Sequence, residues 1–164
     1  PVFISVALTG MPIDGKYVTR SGGRNLDRLY VTGKLGGSLG GKHLRFHPRM
    51  LEAQWLVRKF PIHAMMDVSD GLATDLPRMA SASKIGFVID LAELPRNDQC
   101  TVEQALHDGE DYELLFAVAP GAAKRLEVAW RKQFPRIALT CIGRFIEGGA
   151  TSFREKGYEH FRPE

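Results

Sequence analysis

Hydrophobic residues alternate with polar ones, or gather in short apolar runs, at six places along the chain. Positions 2–8, 28–32, 64–68, 87–89, 112–118 and 137–142 are each bounded by Gly, Pro, Asn or Asp, and this pattern predicts six strands. Two other stretches carry the helical period. Over 49–60, Met50, Ala53, Leu56 and Val57 fall at helical spacing behind Pro48; over 122–134, Leu126, Val128, Ala129 and Trp130 make a broad apolar face. Both are expected to pack on a sheet. The stretch 72–82 is interrupted by Pro77, which removes a hydrogen bond from any helix that has run more than a turn. A short turn after Gly71 and a helix proper capped near Thr74 or Asp75 are therefore expected. Strands and helices alternate, but the connections are uneven, and 91–100 is polar and proline-bearing. An α+β fold, an α/β sandwich whose mixed sheet carries helices on one face, fits this better than a doubly wound parallel sheet.

Composition adds bounds rather than direction. The 164 residues are 44% hydrophobic and 25% charged, enough for one good core. The net charge of +3 comes from Lys and Arg spread among nearly as many acids, so nothing demands nucleic acid. No apolar run approaches the roughly 18 to 20 residues a membrane helix needs. Cys100 and Cys141 stand at no metal-ligand spacing and are expected to be reduced thiols of a cytoplasmic protein. The chain opens at Pro1, directly into the alternating run 2–8, and is expected to be a cut through a larger protein.

Five features bear on chemistry. Gly36-Gly37-Ser38-Leu39-Gly40-Gly41-Lys42 matches the first seven positions of a phosphate-binding P-loop, but His43 stands where Ser or Thr would hold magnesium, and Pro48 follows soon after. A flexible glycine loop is the default. His43 and His47 are four apart without a third ligand at zinc spacing, and read as surface histidines. The sharpest feature is Met65-Met66-Asp67-Val68-Ser69-Asp70-Gly71-Leu72, where an apolar strand runs into two acids flanking a hydroxyl. Hard oxygen donors converging at a sheet end suit magnesium, although the same residues serve to start a helix. The second is Asp108-Gly109-Glu110-Asp111-Tyr112-Glu113-Leu114, whose four carboxylates within six residues repel unless donors or cations lie close. It reads either as a solvated turn or as the second wall of a phosphate and metal site. Arg20, between Thr19 and Ser21-Gly22-Gly23, is a candidate phosphate contact.

Taken together, these segments resemble the thiamine-monophosphate kinase family, within the superfamily of aminoimidazole ribonucleotide synthetase. The resemblance runs from near residue 4 to near 161: Arg20-Ser21-Gly22, Tyr30-Val31-Thr32-Gly33, Leu35-Gly36, Pro48-Arg49, the turn from Asp67 to Leu72, Gly109 to Leu114, and Gly157-Tyr158-Glu159-His160-Phe161. It is the pairing of Asp-x-Ser-Asp-Gly with Gly-Glu-Asp-Tyr-Glu-Leu that makes it specific. The resemblance implies the superfamily's C-terminal domain fold, magnesium bound by Asp67 and Asp70, ATP contacted by Arg20 and Ser69, and thiamine monophosphate contacted by Glu110 and Tyr158. It further implies that residues 1–12 are the last strand and exit of a truncated N-terminal ATP-binding and dimerisation domain and 13–164 a C-terminal domain, that a homodimer forms through that N-terminal domain, and that the ATP γ-phosphoryl group is transferred to thiamine monophosphate, giving thiamine diphosphate and ADP. Another enzyme of the superfamily, or a non-catalytic binding or dimerising fragment, is the alternative. One departure is that Leu26 stands where the family usually has Gly before the aspartate, Asp27.

Overall fold

In a computed structural model, which describes residues 2–12, 14–149 and 151–154, the chain forms one six-stranded mixed sheet clad by four α-helices. The strands are β1 (Arg28–Thr32), β2 (Ile62–Val68), β3 (Gly86–Asp90), β4 (Glu113–Val118), β5 (Leu139–Ile146) and β6 (Thr151–Arg154), in the spatial order β2-β4-β1-β5-β3-β6. All neighbours are antiparallel except β3 and β6. The helices are α1 (Met50–Lys59), α2 (Leu72–Ser83), α3 (Val102–His107) and α4 (Ala123–Gln133). The α+β class and the mixed sheet are as the sequence predicts.

The helices, however, lie on both faces rather than one. Leu29 and Val31 of β1 and Leu115 and Ala117 of β4 pack with Leu72, Leu76 and Met79 of α2 and Ala105 and Leu106 of α3. Their alternating neighbours Tyr30, Leu114, Phe116 and Val118 pack with Leu56 of α1 and Leu126 and Trp130 of α4. Strand residues alternate between faces, so these are two cores separated by the sheet. All six residues of β4 are buried. An unbroken apolar run of this kind is what two-sided burial requires.

Two further expectations fail for stated reasons. No helix or strand forms over residues 2–12: the alternation is present, but no strand pairs with it, and Val2, Phe3 and Leu8 are more than nine-tenths exposed. A lone strand has nowhere to place its backbone hydrogen bonds. Helix α2 begins directly after Gly71 rather than near Thr74 or Asp75, and runs through Pro77. Gly71 has φ 90°, and a Cβ there would stand 2.6 Å from the Leu106 carbonyl oxygen, so only glycine fits. Its missing cap is supplied from inside the helix, where the buried Asp75 carboxylate turns back to accept the backbone N–H groups of Ser69 and Asp70, both at 2.9 Å. Leu76 just before the proline and Met79 and Ala80 beyond it are buried and hold the helix together.

The outer edge of β2 is covered. The Met65 N–H donates to the Thr19 carbonyl at 2.9 Å, and Gly22 packs so close to the His63 carbonyl that a Cβ would stand 2.6 Å from it. Arg20 rides on this strap.

Leu26 enters β1 with φ 68°, in the left-handed region, while the backbone around it pairs with Phe145 at 3.1 and 2.9 Å. The position asks for glycine, and the half-exposed leucine side chain returns little packing. Leu26→Gly is therefore expected to stabilise the fold by about 0.5–1 kcal/mol after the entropy cost of glycine, read as an upward shift in the urea midpoint at unchanged slope.

Candidate functional site

Strands β2 and β4 run antiparallel with Val68 opposite Glu113, so the end of one acidic motif lies against the beginning of the other. Backbone bonds lock the two turns together: Glu110 N–H to Ser69 O at 2.7 Å and Tyr112 N–H to Val68 O at 2.8 Å. Gly109, with φ 68°, presses on the Ser69 carbonyl, which a Cβ would meet at 2.8 Å. Glu110 and Tyr112 also take positive φ, 56° and 52°. Left-handed φ is costly at Glu110 and Tyr112, which bear side chains, and the cross-bonds to β2 hold them there.

The turn separates its acids into two kinds. Asp111 and Glu113 are buried, at 1% and 2% exposure, and are consumed by the protein itself. The Asp111 carboxylate accepts the Gly36 N–H at 3.0 Å and the Ser38 hydroxyl, with Lys42 Nζ at 3.5 Å. Asp108 accepts the Gly37 N–H at 2.8 Å. The glycine loop thus does present backbone donors to anions, but the anions are the protein's own carboxylates, which explains why a P-loop-like run here holds no phosphate-loop geometry. Glu113 accepts two bonds from Arg49, each 2.8 Å, and one from Thr32 at 2.8 Å. His43 is tied by Nδ1 to the Ser38 carbonyl at 2.7 Å and His47 is exposed, so neither meets the other on a helical face.

Asp67, Asp70 and Glu110 are the second kind. Asp67 and Asp70 are exposed and Glu110 half-buried. Glu110 accepts the Tyr112 hydroxyl at 2.6 Å, and that bond raises the Tyr112 pKa first, followed by loss of solvent and by the charges of Glu110, Asp67 and Asp70. Tyr112 thus feels the charge of both aspartates as well as that of Glu110. Ser69 is half-buried between them. Arg20 lies further out, lining a shallow depression of about 590 Å³ with Pro77, Arg78, Ser81 and Ala82. Tyr158 lies outside the described residues.

One participant was not evident from the sequence. Arg78 Nη1 donates to Asp75 Oδ1 at 3.0 Å and also to Asp70 Oδ2. The spacing of Asp75 and Arg78, three apart on a helix, was the available signal. As for a metal, no cluster of three or more His, Cys, Asp or Glu suited to one exists among the described residues. Magnesium needs no such cage: it keeps several waters and takes one or two carboxylates together with substrate phosphates. Two exposed carboxylates three residues apart where β2 ends, with a serine between them, fit that requirement.

Comparison with known proteins places this arrangement. The family described as AIR synthase related protein, C-terminal domain, matches residues 24–155. The chain belongs to that family. The thiamine-monophosphate kinase of Rhodopirellula baltica is 40% identical over 137 residues, 77% of this chain and 43% of the relative. That of Escherichia coli strain K12 is 32% identical over 200 aligned positions, covering 98% of this chain and 60% of the relative. Among solved structures, thiamine-monophosphate kinase from Stenotrophomonas maltophilia K279a superposes with a TM-score of 0.74 at 26% identity, covering 85% of this chain and 54% of that one. AaThiL complexed with AMPPCP and TMP gives 0.66 at 26% identity, covering 89% and 53%. The chain spans about half the length of the curated relatives it matches. As a domain of the AIR synthase related family, it carries the fold without spanning those proteins.

The two kinds of acid give different outcomes. Glu113→Gln, which leaves the Arg49 guanidinium without its charge partner, is expected to cost about 2–4 kcal/mol in chemical denaturation. Asp111 is held above the ordinary carboxyl pKa by burial, against the pull of Ser38, Gly36 and Lys42. The folded protein therefore keeps this proton more tightly than the unfolded chain does. Its contribution is fully present below the ordinary carboxyl pKa and is lost as the pH rises through the raised value. Stability measured across the acid range should decline with rising pH more in the wild type than in Asp111→Asn.

Proposed function

We propose that this chain is the C-terminal part of a thiamine-monophosphate kinase, transferring the γ-phosphoryl group of ATP to the phosphate of thiamine monophosphate. The observation that carries the reading is the locking of the Asp67–Asp70 turn to the Gly109–Tyr112 turn, which gathers Asp67, Ser69, Asp70 and Glu110 at one end of β2 and β4. The names of the relatives, and the AMPPCP and TMP held by one solved neighbour, support the same substrates.

Phosphoryl transfer asks a protein mainly to position two anions and offset their charge, so the lack of an evident nucleophile among these residues agrees with it. Magnesium, when bound, would neutralise charge on the transferring group and orient it. In this reading Asp67 and Asp70 hold that ion. Ser69 and Arg20 meet the nucleotide, Ser69 from the turn and Arg20 from the strap along β2. Glu110, fixed by its bonds to Ser69 and Tyr112, faces thiamine monophosphate, and Tyr158 completes that contact. Buried Asp75, Asp111 and Glu113 keep the turns in place and touch neither substrate. The reading extends to a homodimer formed through an N-terminal domain and to a cytoplasmic setting, which the two unpaired thiols favour.

Kinetics with each substrate varied separately test the roles, using the chain joined to an N-terminal half of the family. Asp70→Asn is expected to lower turnover at least 100-fold, because a neutral amide leaves charge uncompensated at the reacting phosphate. Glu110→Gln is expected to act chiefly by raising the apparent KM for thiamine monophosphate, about tenfold, with the ATP dependence little changed. Near-normal kinetics in both folded variants would overturn the site. The chain alone should form negligible thiamine diphosphate, and robust turnover without the N-terminal half would contradict a site shared between two domains.

A further inference from the structure

Arg78 is assigned no part in the reading above, yet it touches one of its central residues. Its Nη1 atom bridges two carboxylates of very different character. Asp75 is fully buried and fixed by the N–H groups of Ser69 and Asp70, whereas the Asp70 side chain is 57% exposed. The bond to Asp75 at 3.0 Å is an anchor. The bond to Asp70 lies in solvent, where such a pair contributes little and exchanges readily. Arg78 also lines the depression that Arg20 lines, with Pro77, Ser81 and Ala82. Two arginines thus line one open depression with no acid among its lining residues, an arrangement suited to an anion with several oxygens.

We propose that Arg78 is an exchangeable counter-ion: it holds the Asp70 carboxylate while no divalent cation is bound, and on cation binding it stays on Asp75 and joins Arg20 in binding the polyphosphate. The inference rests on the assignment of Asp70 to a metal and adds a positioning residue to it. A divalent cation arriving at Asp70 displaces one bond of Arg78 and leaves the anchored bond intact, so the guanidinium remains beside the depression with donors to spare. Binding of the cation and of the polyphosphate is thereby coupled through one side chain. The exchange also spares the protein an uncompensated pair of neighbouring carboxylates, Asp70 and Asp75, before the cation arrives.

The test uses two probes on the 164-residue chain, Mn2+ alone and tripolyphosphate in saturating Mn2+, with Mn2+ followed by electron paramagnetic resonance and tripolyphosphate by calorimetry. Arg78→Gln is expected to tighten Mn2+ about two- to fivefold, by removing the competing cation, and to weaken tripolyphosphate about tenfold. Arg78→Lys, whose shorter side chain keeps a positive charge near Asp75 but reaches Asp70 less well, should tighten Mn2+ likewise while retaining most tripolyphosphate affinity, and it guards against misfolding of the glutamine variant. A purely structural Arg78 predicts that both affinities fall together. Mn2+ binding that is unchanged, weaker or absent in the folded variants overturns the exchange. Kinase activity of the joined wild-type protein reports separately on the functional reading: activity without the Mn2+ effect sinks only the role of Arg78, and the Mn2+ effect without activity sinks only the substrate assignment.

Discussion

The structure turns on one buried carboxylate. Glu113 opens β4 at the point where β1 ends and α1 begins, and its two oxygens accept from Thr32 on one element and from both arms of Arg49 on the other. The Thr32 hydroxyl oxygen accepts in turn from the Leu114 N–H at 2.9 Å, and Lys42 Nζ stands 3.6 Å from the same carboxylate. Gly33 must be glycine here, because a Cβ would fall 2.2 Å from a Glu113 oxygen. A charge buried at this depth is tolerable only with its full set of donors, so the sheet end, the glycine loop and the first turn of α1 are obliged to meet in one arrangement. The proximity of the two acidic turns follows from that meeting.

This arrangement divides labour among residues that composition cannot tell apart. Asp27, Asp75, Asp111 and Glu113 are buried, and each accepts from named protein donors: Asp27 from the Arg24 N–H at 2.8 Å and, with His63 Nδ1 at 2.8 Å, from the strand beyond. Asp67 and Asp70 are left outside on the same framework. The interior acids fix the turns, and the exterior acids keep their capacity to bind cations. A strongly acidic segment therefore need be neither a solvated turn nor a site as a whole; here neighbouring residues in one segment do different work.

Much of this was legible in the sequence, and the misses have physical causes. The strands over 28–32 and 112–118 appear as β1 and, one residue shorter, as β4, because β-branched and aromatic residues in a bounded run leave little alternative. Helix α3 went unseen although Thr101 and Gln104 form a capping box, a local signal that a search for apolar period alone passes over. The run 2–8 has the right alternation and no partner, and alternation says nothing about what lies alongside. Helix α2 is present as expected but starts at Leu72, earlier than Pro77 suggests, because Leu76, Met79 and Ala80 bury enough apolar surface to carry the helix through the proline. The continuous run in β4 already carried the information that both faces are covered. Of the site, the two acidic turns and Arg20 could be found from residue type and order. Arg78 could not be assigned, since its meaning depends on Asp70 and Asp75 being turned towards it by the tight start of α2.

The strap that carries Arg20 has a second consequence. By pairing Thr19 with Met65 it closes the open rim of the terminal strand β2, where unpaired amides would otherwise offer a template to a foreign strand. Any rearrangement that lifted Arg20 away would uncover that rim. The position of Arg20 and the resistance of the domain to self-assembly into fibrils are consequently set by the same strap, and selection on either constrains the other.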